Sequence, residues 1–244
     1  MDHPQTTEAL APEIVRTLCG ITTATISTIL FKAGLRNVWL RGPMPLRQGQ
    51  PRVAGRAFTL RFIPMRDDLA SPQAWSSPKS TRVAVEQMPA GCVAVVDAMG
   101  VVDAGIFGDI LCARMRHRGV AGLVSDGVVR DVSGVLASQL PTWTQGTAAP
   151  AAVASLHFVG WQEPVACGGV AVFPGDIVVA DDDGAILISP AHLDEVLAAG
   201  PEQERLEAWI LEEVHRGAAL PGLYPPNDEA RARYEARAAQ PRGG

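Results

Sequence analysis

Between residues 91 and 126 an apolar run that ends on an acid, GCVAVVDA, is followed by GDILCARMRHRG and then by a second apolar run, VAGLVSD. The outer pieces are short and bounded by glycine or acid, as strands buried on both faces are, and the middle piece has helical spacing. Strand, helix, strand at this separation predicts a parallel pair joined by a crossover helix, which puts the chain in the α/β class. It also predicts where a ligand sits: at the carboxyl ends of the strands, where loops 98–108 and 125–131 emerge together.

The flanking segments extend this unit. Leu10, Ile14, Val15 and Leu18 fall at helical spacing with Gly20 behind them, and Thr22 or Thr23 can cap a second helix, ATISTILFKA, that Gly34 ends. RVAGRAFTLRFI, residues 52–63, alternates as a strand, and the proline-bearing stretch 64–80 reads as a surface loop. EPVACGGVAVFPGDIVVADDDGAILIS is strand-like and broken at Pro174-Gly175 and Asp183-Gly184, the latter a hairpin signal. Residues 190–216 return to helix, with Leu193, Val196, Leu197, Leu206, Trp209, Ile210 and Val214 as the buried stripe.

Hydrophobic residues make up 47% of the 244, enough for one sizeable core. The expected organisation is a single domain over 1–217 and a tail, 218–244. That tail, with Leu223, Tyr224 and Tyr234 as its main apolar groups, packs on the domain or on a neighbouring subunit.

Net charge is −5 and no lysine or arginine run exceeds two residues, which argues against nucleic acid as a partner. The opening MDHPQTTEALAPE lacks the basic and apolar regions of a secretory signal, and no stretch reaches the ~18 apolar residues of a membrane helix, so a cytoplasmic protein is expected. Cys19, Cys92, Cys112 and Cys167 form no CxxC pair and lie near no histidine at ligand spacing; reduced thiols are expected, not a zinc site.

The crossover unit also carries the chemistry. Gly108-Asp109 opens the helix, so its unbonded N–H groups and the positive end of its dipole face the sheet edge, where a carboxylate or phosphate can bind. Asp109 is equally suited to be a plain helix-start acid. Twenty residues on, Arg130-Asp131 follows the turn Ser125-Asp126-Gly127 and reaches the same edge. A guanidinium there can grip a carboxylate or enolate oxygen at two points, and Asp131 offers hard oxygen to a water-rich divalent ion. A surface ion pair between Arg130 and Asp131 is the competing reading. Asp181, Asp182 and Asp183 ahead of Gly184 belong to a hairpin turn, while Trp75, with Arg66, Asp67 and Asp68, can line a substrate pocket.

Asp109 followed by Arg130-Asp131, inside GDILCARMRHRGVAGLVSDGVVRD, resembles the motif of the RraA-like family, which includes the class II pyruvate aldolases typified by 4-hydroxy-4-methyl-2-oxoglutarate aldolase. GRAFTLRF, PAGCVAVVDA and GGVAVFPGDIVVADDDGAILIS resemble its successive core segments. The resemblance implies an αββα sandwich of the swivelling β/β/α type, assembled as a homotrimer or homohexamer with sites between subunits. It implies Mg²⁺ or Mn²⁺ held by Asp131, a pyruvyl group held by Arg130, and a carboxylate received by the amides of Gly108, Asp109, Ile110 and Leu111. Arg130 and Asp109 are then the catalytic residues and a small 2-oxo acid the substrate, cleaved between C3 and C4, with oxaloacetate decarboxylation by the same enolate route. RraA itself, a regulator that binds an RNA-degrading enzyme, implies an alternative role without catalysis, and a lyase or dehydratase of sugar-derived oxo acids is a third. Aldolase members tend to carry an acid in the second helix; Thr25, Ser27 and Thr28 stand there instead.

Overall fold

The computed structural model describes residues 8–68 and 77–238. The molecule is assembled on one long strand, β3 (Val53–Pro64), whose pairing changes along its length. Its first half runs antiparallel to β10 (Ile177–Asp181), with Arg56 opposite Ile177. From Ala57 onward it runs parallel to β4 (Val93–Asp97), and its last residues pair antiparallel with β7 (Leu156–Trp161). β5 (Gly122–Ser125), β6 (Thr142–Thr144) and β2 (Met44–Pro45) extend the β4 side, and β11 (Gly184–Ile188) and β1 (Trp39–Leu40) extend the β10 side. β8 (Val165–Cys167) and β9 (Val170–Val172) form a separate hairpin whose loop, Gly168-Gly169, has φ of +56° and +74°. Both loop residues need positive φ in such a two-residue turn, so glycine supplies them.

Side-chain alternation sorts these strands into layers. Val93 and Val95 of β4 and Val178 and Ala180 of β10 share an interior with Trp143, Val165 and Val172. Ala94 and Val96, with Phe58, Leu60 and Phe62, point outward to α3 (Thr81–Gln87), α4 (Asp109–His117) and α5 (Val132–Ala137). Ile177 and Val179, with Ile186 and Ile188, point the other way, to α1 (Pro12–Cys19), α2 (Thr23–Lys32) and the first half of α6 (Leu193–His215). The result is helix, sheet, sheet, helix: the αββα sandwich expected from the sequence.

β4, α4 and β5 form the expected crossover, with Val93 opposite Gly122 in parallel register. Thr22 caps α2 by accepting from Thr25 N at 3.1 Å, and Gly34 at φ +89° ends it, with Leu35 N bonded to Leu30 O at 2.9 Å and Gly34 N to Phe31 O at 3.0 Å. That bond pair is the Schellman ending that favours glycine. Of the stretch expected to be a loop, residue 64 is still in β3 and 69–76 lie outside the described residues. The tail contributes α7 (Asp228–Ala238), with Leu223 and Ala230 buried against Leu206, Trp209 and Ile210 of α6.

Candidate active site

A cavity of about 810 Å³ opens at the carboxyl edge of β4 and β5. Its walls are the start of α4, the turn at Arg130-Asp131, the entry to α3, and the segment from Ala151 through β7. Gly108, Asp109, Ile110, Leu111, Arg130 and Asp131, the residues singled out by sequence, all line it.

Three close backbone approaches bring them together. Arg130 N donates to Phe107 O at 2.9 Å, and a Cβ on Gly105 would lie 2.7 Å from the Cβ of Arg130. A Cβ on Gly108 would lie 2.5 Å from Oδ2 of Asp131, and one on Gly134 would lie 2.4 Å from the Cβ of Asp109. Glycine is thus required at 105 and 134, where the passing atoms cannot give way, and at 108 any side chain would push the Asp131 carboxylate aside. Asp131 itself adopts φ +52°, ψ +45°, a left-handed conformation that side chains other than glycine, asparagine and aspartate rarely take. That bend turns the Asp131 carboxylate back onto its neighbour: Arg130 Nε lies 3.0 Å from Asp131 Oδ2.

The two readings of Arg130-Asp131 therefore coexist in one geometry. The pair is bonded, yet it uses only Nε and one carboxylate oxygen. Among the described residues the Nη atoms of Arg130 donate to no protein acceptor, and Oδ1 of Asp131 accepts from no protein donor. With side chains 37% and 43% exposed, both keep a face toward the cavity.

At the α4 start, the first intrahelical bond runs from Cys112 N to Gly108 O at 3.1 Å, so the amides of Asp109, Ile110 and Leu111 precede the ladder. Ile110 N donates to Oδ1 of Asp109 at 2.7 Å and its side chain is 79% exposed, so Ile110 offers the cavity an apolar rim and a committed amide. The Asp109 and Leu111 amides remain for a ligand.

Sequence reading missed the apolar side of the cavity. Phe62, Ile106 and Leu156 are buried beneath it, and Ala152, Val153 and Phe158 stand beside it. The signal was present in LHFVGW, residues 156–161, an aromatic and β-branched run that reads as a strand. Lys79, Thr81 and Arg82 form the opposite lip. Trp75 lies outside the described residues, while Arg66 is paired with Asp68 at 2.8 Å, and Asp68 reaches the cavity.

Other acids serve the framework. Asp181 accepts from Thr23 N at 2.9 Å and Thr23 Oγ1 at 2.7 Å and pairs with Arg52 at 3.3 Å, and Asp182 accepts from Gly49 N at 3.0 Å, so the acidic hairpin disperses its carboxylates as expected of a turn. Thr25 is buried in α2, in the helix layer away from this cavity, bonded to Thr22 at 3.0 Å. The buried thiols Cys92 and Cys112 are pushed up to about 12 by loss of hydration and stay protonated. Among the described residues no group of three or more His, Cys, Asp or Glu is placed to hold a metal.

A solved structure is similar to this fold, and curated proteins are similar to this chain in sequence. RraAS2 of Streptomyces coelicolor, an unusual member of the RNase ES inhibitor RraA protein family, is 35% identical with a TM-score of 0.74, covering 83% of this chain and 97% of that one. Protein DlpA of Legionella pneumophila is 27% identical over 82% of this chain but only 32% of its own length. A putative 4-hydroxy-4-methyl-2-oxoglutarate aldolase of Halalkalibacterium halodurans is 33% identical over 47% of this chain and 54% of its own. The chain thus spans about a third and about half of these two curated relatives. The RraA-like family model, aldolase/RraA, matches residues 23–187, a span that runs from α2 to β11 and holds Asp109, Arg130 and Asp131: the chain belongs to the RraA-like family.

Proposed function

We propose that this chain is a divalent-metal-dependent carbon–carbon lyase that cleaves a 4-hydroxy-2-oxo acid to pyruvate and a carbonyl product, and that the same site decarboxylates oxaloacetate. The observation that carries this reading is the uncommitted Nη edge of Arg130, facing the cavity beside a carboxylate with a free oxygen and a helix N-terminus.

The donor set fits Mg²⁺ or Mn²⁺ of one kind only. Asp131 supplies one exposed hard oxygen, which suits an ion that keeps most of its water and does not suit a cage of protein ligands. When bound there, the ion supplies Lewis acidity at the 2-oxo group. The amides of Asp109 and Leu111, backed by the α4 dipole, receive the substrate carboxylate. Arg130 binds the 2-oxo oxygen through its Nη edge and stabilises the negative charge that grows there as the C3–C4 bond breaks, the kind of preorganised contact worth about 3–4 kcal/mol. In that step the C4 hydroxyl gives up its proton and becomes the carbonyl of the second product, the C3–C4 electrons become the C2–C3 double bond of the enolate, the carbonyl pair moves onto the 2-oxo oxygen, and C3 then receives the proton that Asp109 took, giving pyruvate. Asp109, held at the helix start by the Ile110 amide, is the carboxylate assigned to take the hydroxyl proton.

Pyruvate release from 4-hydroxy-2-oxo acids and from oxaloacetate, measured with Mg²⁺ or Mn²⁺ and after chelation with EDTA, tests this. Turnover should need the ion and return when it is restored; undiminished turnover after thorough chelation overturns the metal role. The likeness to RraAS2 favours a second reading, a regulator that binds an RNA-degrading enzyme. Absence of pyruvate from every substrate with either metal, together with inhibition of such an enzyme, would establish that reading instead.

A further inference from the structure

We infer that the substrate carries an extended apolar substituent on the far side of the scissile bond, so that this site prefers 4-hydroxy-2-oxo acids with an alkyl or aryl tail over those with a second carboxylate. The inference rests on the proposed placement of the oxo-acid head at the α4 start and Arg130.

A three-carbon head group leaves most of an 810 Å³ cavity unfilled, since pockets of roughly 300–1,000 Å³ hold ligands of drug size. What lines the remainder decides the tail. The floor is Phe62, Ile106 and Leu156, all nearly inaccessible, and the adjoining wall is Ala152, Val153 and Phe158. Phe158 meets Phe62 edge-on with centroids 5.2 Å apart and stacks on Trp161 at 6.2 Å, so the aromatic wall is fixed by its own packing. The cations of the cavity stand elsewhere. Arg130 belongs to the head site, Lys79 and Arg82 are on the exposed lip at the entry to α3, where water competes for them, and His157 alternates with Leu156 and Phe158 along β7, on the opposite face of the strand. A distal carboxylate laid on the floor would lose its hydration with no charged partner beneath it among the described residues, whereas a hydrocarbon there gains about fourfold in affinity per methylene buried.

Affinity for uncleavable 2-oxo acids tests this separately from catalysis. Calorimetric titration of the full chain, in the presence of Mg²⁺, with pyruvate, 2-oxobutyrate, 2-oxohexanoate, 2-oxooctanoate and 2-oxoglutarate should give tightening of several-fold for each added methylene, until the cavity is filled. 2-Oxoglutarate should bind at least tenfold more weakly than 2-oxohexanoate. In the A152D variant the ratio of 2-oxohexanoate to pyruvate affinity should fall at least tenfold. Flat affinity along the series, or 2-oxoglutarate as the tightest ligand, overturns the apolar tail whether or not the variant folds. Deuterium exchange into the methyl group of pyruvate separates this from the lyase reading: exchange without a chain-length preference removes the tail alone, and a chain-length preference with neither exchange nor cleavage keeps the apolar subsite and removes the lyase.

Discussion

At Gly108 a single methyl group would decide whether the site exists. A Cβ there falls 2.5 Å from Oδ2 of Asp131, inside any tolerable contact, so the partly exposed Asp131 carboxylate has to turn away, and its bond to Arg130 Nε has to follow or break. Gly108→Ala should therefore displace Asp131 and Arg130 together and lower kcat/KM by at least tenfold, with a smaller effect on melting temperature; unchanged kinetics would show that neither side chain needs this position. Arg130→Lys tests the guanidinium itself. An ammonium can replace the Nε contact to Asp131 but not that contact and a two-point grip at once, so kcat/KM should fall at least tenfold, about 1.4 kcal/mol of transition-state stabilisation. Wild-type kinetics in both Arg130→Lys and Arg130→Ala would leave the residue with only its ion pair. That the α4 start and Arg130-Asp131 meet at one sheet edge was legible in the sequence, because the crossover unit delivers both loops there, and both line one cavity. What was not legible is how Arg130 and Asp131 share it: the left-handed turn at Asp131 and the glycine contacts that depend on it are through-space facts, and neighbours in sequence do not announce that they bond.

Among the elements, the strands that end at the site are tied there by buried carboxylates. Asp126, past the end of β5, accepts from Ala98 N of the β4 end at 2.7 Å and from Gly168 N of the β8–β9 hairpin at 3.2 Å, while Asp97 accepts from Met99 N and Ala166 N, each at 3.1 Å. Burial pushes the Asp126 carboxyl above the ordinary range, Asp97 nearby adds to this, and the amide donors oppose it. A folded state that holds this proton more tightly than the unfolded chain gains from it at low pH and loses that gain as pH rises from the ordinary carboxylate range through the raised folded value. Asp126→Asn removes the titration. The stability difference, wild type minus variant, measured by denaturant unfolding from pH 4 to pH 7, should therefore shift against the wild type as pH rises, whatever its sign at the start. A constant difference would mean that Asp126 titrates alike in both states. α2, β3, α4 and α6 carry a period over nine residues or more, and the short β4 is an unbroken apolar run closed by an acid; all five stood close to where the sequence put them. α3, α5 and β6 did not emerge, because none is an unbroken apolar run closed by an acid or a turn signal as β4, β5 and the β10–β11 hairpin are, and their form is set by the neighbours they pack against; β7 was overlooked although LHFVGW is strand-like. The apolar wall of the cavity was missed with β7.

For the whole molecule, the informative part is α6, whose two halves belong to different cores. Its first half packs on α1 and α2, with Gly200 close against Ile21; Pro201 follows; its second half, from Leu206, leaves the sandwich and is covered by the tail. The tail was expected to seek apolar surface, and within the chain it finds it: Tyr234 lies on Trp209 with centroids 5.6 Å apart, Arg237 bonds Glu212 and Arg233 bonds Glu213. The Arg237–Glu212 pair is exposed on both sides and adds little, and Arg233 is exposed over a more covered Glu213; Leu223 and Ala230, buried, do most of the holding. Leu211, Leu220 and Tyr224 remain more than half exposed on the same hairpin, a face that a proposed ring of three or six copies would have available. Removing residues 220–244 should strip Trp209 and Leu206 of their cover at a cost of about 1.5–3 kcal/mol for Leu223 alone, lowering the melting temperature by at least about 3 °C. Light scattering separates the two uses of the hairpin. If it only caps α6, the shortened chain melts earlier but keeps the subunit number and the turnover of the full chain; if it also joins subunits, the subunit number falls with it. A full-length monomer that retains complete activity on dilution would refute sites shared between copies, and a shortened chain with unaltered melting would refute the packing of the tail on α6.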